Sequence, residues 1–239
     1  MVKPYKEEGS KKEQVALMFN NIAPKYDFLN HFLSMGIDKC WRKKAIKEVG
    51  SVNPKKILDI ATGTGDLAFT ACKLHPAEIV GIDISQEMLN VAKQKRQQFS
   101  ASVDIRFELG DSENINYPDN SFDAAMVAFG VRNFENLDKG LAEINRTLKK
   151  GGKLVVLEFS KPRNFLFKQL YHFYLFKIVP FFGKMFSKDV RAYTYLPESV
   201  NAFPYGQDFL DHMKSTGFTD LKARPLTFGI ASIYSGLKA

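Results

Sequence analysis

The nine residues from Leu58 to Asp66, LDIATGTGD, join an apolar run ending in an acid to a glycine turn and a second acid. KKILDI before the turn reads as a short buried parallel strand, and DLAFTACKL after it has helical spacing, so Gly63 and Gly65 stand where strand passes to helix. Glycine at such a corner lets a ligand lie directly on the backbone. Gly63, Gly65 and Ala68 satisfy the dinucleotide pattern GxGxxA, but the charges oppose that ligand. A pyrophosphate needs the amides and the positive dipole end of the new helix, and Asp66 puts a carboxylate at that mouth with Asp59 just before the turn. S-adenosyl-L-methionine has no phosphate and carries a sulfonium and an ammonium, both of which nearby carboxylates attract.

EIVGIDIS reads as a second strand ending in Asp83, about 20 residues beyond the glycine turn, where an acid can accept hydrogen bonds from two ribose hydroxyls. A third strand, DIRFELGDS, delivers Asp111 and Ser112 to the edge of an adenine ring, and PDNSFDAAMVAFG supplies a fourth. Any one of these acids alone reads equally as a helix cap or a solvated loop carboxylate. Three successive strand ends carrying Asp59, Asp83 and Asp111 point instead to a shared ligand.

The elements that position these residues alternate between strand and helix patterns through most of the 239 residues, which predicts one α/β domain over 1–239. Cys40 and Cys72 lie in predicted helices without metal-ligand spacing, so neither a disulfide framework nor a zinc site is expected. No grouping resembles a Ser/His/Asp triad or a P-loop, and no metal is expected. The charged start, residues 1–14, lacks the apolar core of a signal peptide and reads as a mobile tail on a cytoplasmic protein. A net charge of +8 attracts nucleic acid, anionic lipid or acidic partners without choosing among them.

Residues 161–200 read as an aromatic helical insert, and Lys161 to Lys188 holds nine Phe or Tyr among 28 residues. Lys168, His172 and Lys177 interrupt it and Pro180 and Gly183 break its second half, so it is too polar and too short to span a bilayer. Three readings stay open: ordinary packing over the sheet edge, a lid over a large apolar substrate, and shallow docking on an anionic membrane at its inner face. Platforms for single-stranded nucleic acid space their aromatics singly over a groove, whereas FYLF and FF are contiguous. An apolar substrate is therefore expected and nucleic acid is not.

Together these features resemble the class I methyltransferases, and three stretches resemble one branch, the UbiE/MenG quinone-biosynthesis C-methyltransferases. These are YDFLNHFLSMGIDKCW (Tyr26 to Trp41), FGVRNF (Phe129 to Phe134) and RTLKKGGKLVVLEFS (Arg146 to Ser160), and the similarity runs from about Val15 to the carboxyl terminus. Asp38 stands where many members have His, Thr147 and Lys150 replace the commoner Val and Pro, and Ala128 stands where some carry Ser. The resemblance implies a Rossmann-like seven-stranded sheet, mostly parallel with one antiparallel edge strand and helices on both faces. FTDLKARPLTFGIASIYSGLK agrees, giving two β-like runs joined through Pro225 to Gly229 as a hairpin finish. By the resemblance, Thr64, Asp83, Asp111 and Ser112 match cofactor positions, with Gly63 and Gly65 shaping the turn.

The resemblance also implies a polyprenyl quinol as acceptor, with demethylmenaquinol favoured and the methoxybenzoquinol of the ubiquinone pathway open. Its ring carbon must be made electron-rich, which calls for a base or a cation beside a ring hydroxyl. Arg132 is the candidate cation and Asn133 the group that orients the quinol; the bland reading of Arg132 is a structural ion pair. Tyr26, Asp27 and Asn30 come from an amino-terminal helix expected to close over the site, Asp27 as proton acceptor, and a packing role is the bland reading of Tyr26. Tyr193, Tyr195, Glu198 and Ser199 are candidates for the acceptor pocket, and His31 alone among the histidines is a candidate base. Rival functions are a phospholipid N-methyltransferase, an RNA methyltransferase with salt-sensitive binding, and a catalytically silent membrane-binding or complex-organising subunit. A homo-oligomer and a quinone-synthesis complex are open as assemblies.

Overall fold

The computed structural model describes residues 2–5, 8–100, 102–162, 164–181 and 189–239. Seven strands, β1 (Lys56–Ile60), β2 (Glu78–Asp83), β3 (Asp104–Leu109), β4 (Phe122–Ala128), β5 (Leu148–Phe159), β6 (Phe218–Leu226) and β7 (Ala231–Lys238), form one sheet in the order β3-β2-β1-β4-β5-β7-β6. The first five run parallel, with Leu58 paired to Val80 on one side and Ala125 on the other. β7 is antiparallel to both neighbours, inserted between β5 and β6 at one end of the sheet. The hairpin finish is as the sequence implied, although Pro225 remains in β6 opposite Ser232 and the turn falls at Thr227–Gly229.

Helices cover both faces, which is why KILDI and FDAAMVA are nearly continuous apolar runs instead of alternating ones. On one face α3 (Ile37–Val49), α4 (Asp66–Ala71) and α5 (Gln86–Gln98) bring Trp41, Leu67 and Leu89 against Ile57, Ile79 and Met126. On the other, α6 (Leu137–Thr147) and a late helix, Gln207–Ser215, bring Leu141 and Phe209 against Leu58, Val80 and Val127. Ile57 and Leu58 thus enter opposite cores, as the two-residue period of a strand requires.

A third apolar cluster joins α1 (Lys11–Ile22) and α2 (Tyr26–Leu33) to the helix Val190–Ala202 through Val15, Met18, Leu29, Tyr193 and Tyr195. Residues 11–14, expected within a mobile tail, belong to α1. A reciprocal capping box between Ser10 and Glu13 starts that helix. Lys11 is buried, its Nζ donating to Arg132 O at 2.9 Å and Phe134 O at 2.7 Å, and the Tyr5 hydroxyl donates to the Asp189 carboxylate.

The aromatic insert forms α7 (Phe165–Phe173), which runs on into a π-helical turn over Tyr174–Ile178. Leu175 and Val179 pack inward against the third cluster while Phe165, Leu170 and Phe173 remain exposed. Gly183, expected as a break, lies outside the described residues. With that insert preceding it, Val190–Ala202 is α8 and Gln207–Ser215 is α9. Among the described residues no helix is long and apolar enough to cross a membrane.

Candidate functional site

β1 and β4 are neighbours although two strands separate them in sequence, so the connections from their carboxyl ends part to opposite sides and leave a crevice. Ala61 (φ 52°), Gly63 (φ 56°) and Gly65 (φ 84°) turn the chain out of β1, and Phe129 (φ 59°) turns it out of β4. Left-handed backbone costs a non-glycine residue roughly 1–2 kcal/mol, and Ala61 and Phe129 carry it where both border the crevice. A Cβ on Gly65 would lie 2.8 Å from the Phe107 ring, and one on Gly130 would lie 2.6 Å from Ala61 Cβ, so both glycines permit close approach.

Asp83 is buried at the end of β2, where Gly63 N–H donates to Oδ2 and Ser85 N–H to Oδ1, each at 2.8 Å. Burial pushes its carboxyl up to about 6 against the pull of those amides. Asp59 is pushed up to about 7, again chiefly by burial, with the Thr62 hydroxyl at 2.6 Å opposing and the nearby Asp83 charge adding. Asp59 Oδ1 has no partner among the described residues. Neither buried carboxyl has an ion-pair partner among the described residues, although the Arg42 charge reaches Asp59, and this donor set fits the sulfonium and ammonium charges of S-adenosylmethionine and opposes a phosphate.

The cleft beside Asp83 continues past Gly63, Gly110, Asp111 and Ser112. Helix α1 closes over it with Lys12, Val15 and Phe19. Lys12 Nζ lies 2.5 Å from Asp111 Oδ2 and 3.8 Å from the buried Glu113, while Glu113 N–H donates to Asp111 Oδ1 at 2.9 Å. Asp83, Asp111, Ser112 and Gly63 are thus gathered around one space.

A second cavity is walled by Met18, Trp41, Phe159, Tyr193, Tyr195 and Leu196. It shares Phe19, Tyr26, Phe129 and Asn133 with the first, so the two spaces meet at those side chains. Arg132 lines the second cavity, with Nη1 donating to Glu158 Oε1 at 2.9 Å and to Phe129 O. Its Nε–H is buried and has no partner among the described residues. Ion pair and cavity wall are therefore both true of Arg132. Asn133 Oδ1 accepts from the Tyr195 hydroxyl at 3.2 Å, and burial raises the pKa of Tyr26.

The ubiE/COQ5 methyltransferase family model matches residues 7–238. The chain belongs to this family. A demethylmenaquinone methyltransferase from Bacteroides fragilis is 48% identical over 238 residues, 99% of this chain and 97% of the relative. The ubiquinone/menaquinone biosynthesis C-methyltransferase UbiE of Geotalea daltonii is 46% identical over 230 residues, 95% of this chain and 97% of its own. Among solved structures, a SAM-dependent methyltransferase from Thermotoga maritima superposes with a TM-score of 0.64 at 20% identity, covering 94% of this chain and 99% of its own. For this methyltransferase-family chain the cofactor is S-adenosyl-L-methionine.

Within this family member several expected residues lie elsewhere. The Thr64 hydroxyl donates to Asp27 Oδ1 at 2.5 Å, and Asp27 Oδ2 pairs with Lys95 Nζ at 2.9 Å. Neither side chain borders the Asp83 cleft or the apolar cavity, so the structure gathers Thr64 and Asp27 with Lys95 and departs from both expectations. Thr64 and Asp59 border instead a small hollow that adjoins Gly63 and Tyr26. Asp66 is bound by Lys95 and approached by Arg42 at 3.7 Å, so its charge is largely neutralised. His31 is held between Asp38 (Nδ1, 2.8 Å) and Asp66 (Nε2, 3.5 Å) outside the cavity, which corrects its reading as a base. Arg42 sits on Asp38, so the His31, Asp38 and Asp66 group already holds a cation of its own. Glu198 is exposed and Ser199 borders a separate crevice; neither joins Tyr193 and Tyr195 in the cavity.

Glu158, Lys12 and Tyr171 were missed. Glu158 is the only charge within LVVLEF, a buried strand in which an acid needs a partner, and that signal could have found it. Lys12 was hidden by reading residues 1–14 as a tail. Tyr171 brings from α7 a buried hydroxyl with no partner among the described residues, and its interaction with the Arg132 and Glu158 charges places it near them.

Proposed function

We propose that this chain, an S-adenosylmethionine-dependent C-methyltransferase of quinone biosynthesis, methylates the ring of demethylmenaquinol to give menaquinol. The observation that carries this reading is the meeting of a carboxylate-lined cleft with an apolar cavity at Tyr26, Phe129 and Asn133. A flat aromatic ring with an apolar tail suits walls of Trp41, Phe159 and Leu196, whereas a zwitterionic headgroup or a nucleotide does not.

S-adenosylmethionine, when bound, supplies an electrophilic methyl group. Asp83 holds the ribose through oxygens already oriented by Gly63 and Ser85, and Asp111 with Ser112 reads the adenine edge. Asp59 adds negative charge behind the glycine turn, which Gly63 and Gly65 shape. On the acceptor side, the Arg132 Nε–H faces a ring oxygen and favours its ionised form, the hydroxyl proton passing to water, which raises electron density at the neighbouring carbon. Tyr26 and Asn133 fix the ring's orientation at the junction. Orientation of this kind contributes on the order of 7–11 kcal/mol where it is ideal. Glu158 acts through Arg132 as a positioning residue, since a carboxylate bonded to Nη1 holds the guanidinium plane.

Within the insert, Tyr193, Tyr195 and Leu196 of α8 close the cavity and the exposed Phe165, Leu170 and Phe173 of α7 touch the inner face of a membrane, with the body of a single domain in the cytoplasm. The test supplies radiolabelled S-adenosylmethionine with detergent-dispersed demethylmenaquinol, its benzoquinol counterpart, phosphatidylethanolamine or tRNA. Label in the naphthoquinone alone is the expected result; label in the benzoquinone alone moves the reaction to the ubiquinone pathway. Label in lipid or RNA only overturns the quinol reading.

A further inference from the structure

Four elements close into a ring at the outer side of the apolar cavity. The Tyr174 hydroxyl of the π-helical turn donates to Leu33 O at the end of α2. Trp41 Nε1–H of α3 donates to Thr227 Oγ1 at 2.8 Å, and Phe228 of the same β6–β7 turn stacks on Phe167 of α7 with centroids 4.3 Å apart. Ser34, Asp38 and Trp41 on this ring also line the cavity. The outward side of the ring is apolar: Met35 is 90% exposed, Phe165 76%, Phe228 69% and Phe173 58%. Met35 and Phe228 both sit at positive φ, 51° and 57°, so left-handed turns present these two tips.

The exposed charges that adjoin Met35 and the α7 tips along the chain have one sign. From Ser34 to Lys47 the chain carries Lys39, Arg42, Lys43, Lys44 and Lys47 against Asp38 alone, and Asp38 is buried beneath Arg42. From Phe165 to Ile178 it carries Lys168 and Lys177 and no acid. Lys39, Lys43, Lys44, Lys168 and Lys177 are exposed. Apolar tips among lysines match the interface of an anionic bilayer, where acyl chains receive the tips and headgroups the ammoniums.

We infer that this rim, led by Met35 at the α2–α3 corner and by Phe173 of α7, docks on an anionic lipid surface and turns the outer side of the cavity toward the bilayer. The docking face thus extends beyond the aromatic insert to a corner of the amino-terminal helices. A long-tailed quinol then passes from lipid to cavity without crossing water. The inference rests on the apolar-acceptor reading, and its test is separable from it.

Full-length protein is mixed with vesicles of phosphatidylglycerol and phosphatidylcholine, free of quinol and of S-adenosylmethionine, and partitioning is read by flotation. Met35→Ser with Phe173→Ser is expected to weaken partitioning about tenfold or more, and vesicles of phosphatidylcholine alone to bind far less. Met35→Cys in a Cys40→Ser background, labelled with an environment-sensitive dye, is expected to shift to the blue on the anionic vesicles. Methyl transfer to a short-tailed, water-soluble quinol is expected to be unchanged in the Ser variant, so failure of docking and failure of the reaction are read separately. Wild-type partitioning by the Ser variant, or a label that stays water-exposed on bound vesicles, overturns the inference. A label buried equally without vesicles, with a doubled mass in solution, overturns it in favour of a second copy of the chain.

Discussion

Asp83→Asn keeps the shape of the side chain and removes one charge from the cleft. A carboxylate accepting from two ribose hydroxyls makes bonds of about 1.5–3 kcal/mol each, and the amide presents one acceptor in place of two. The expected loss is about 3 kcal/mol, on the order of 100-fold in Kd, read by calorimetric titration with S-adenosylhomocysteine. Stability moves by a different route. Burial that raises Asp83 from 3.8 to about 6 means that its charge costs the folded state about 3 kcal/mol at pH 8. The substituted amide escapes that cost but turns its NH2 toward one of the two backbone N–H groups, losing about 1–3 kcal/mol. The two changes largely offset, so Tm by scanning calorimetry is expected to move only a few degrees. A Kd within about threefold of the wild type, in a variant whose fold survives, refutes the ribose assignment.

Other consequences follow from the same geometry. Arg132→Met strands the fully buried Glu158 and is expected to destabilise the chain by about 3–5 kcal/mol. Adding Glu158→Leu is expected to restore the fold while leaving kcat low at normal cofactor affinity; wild-type turnover in that double variant removes Arg132 from the mechanism. Tyr26→Phe is expected to lower kcat about tenfold, the worth of one hydrogen bond of about 1.5 kcal/mol, with the Kd for cofactor unchanged. Asp59 and Asp83 are raised in the folded state, so their contribution to stability is present at low pH and is lost as pH rises through about 6 to 7. Cofactor affinity runs the other way: about one-tenth of Asp83 is charged at pH 5 and nearly all at pH 8, so Kd is expected to tighten about tenfold across that range. A flat binding profile contradicts a role for these charges.

The parallel part of the fold was legible because β1, β2 and β4, covered on both faces, are nearly continuous apolar runs, while the edge strand β3 alternates, with Ile105 and Phe107 buried and Asp104 and Arg106 exposed. The gathering of Asp83 and Asp111 at one cleft was legible too, since they follow adjacent strands at a distance that the βαβ unit dictates. What could not be read from linear order was pairing across the third apolar cluster. Asp27 looked like an available acid because Lys95 stands 68 residues away. His31 looked like a base because nothing local shows Asp66 beside its ring. The amino-terminal stretch was misjudged on composition: a capping box outweighs a run of lysines, and the helix it starts buries Lys11 against Arg132 O and Phe134 O and puts Lys12 on the rim of the cleft.

The central claim is that cofactor and quinol meet at the junction of the two spaces. The most direct measurement is a crystal structure of the chain with S-adenosylhomocysteine and a short-tailed demethylmenaquinone bound together. The expected result places the sulfur and the ring on either side of Tyr26 and Asn133, with a ring oxygen in hydrogen-bond reach of Arg132. A quinone seated outside the cavity, or a ring divided from the sulfur by Phe129, contradicts it.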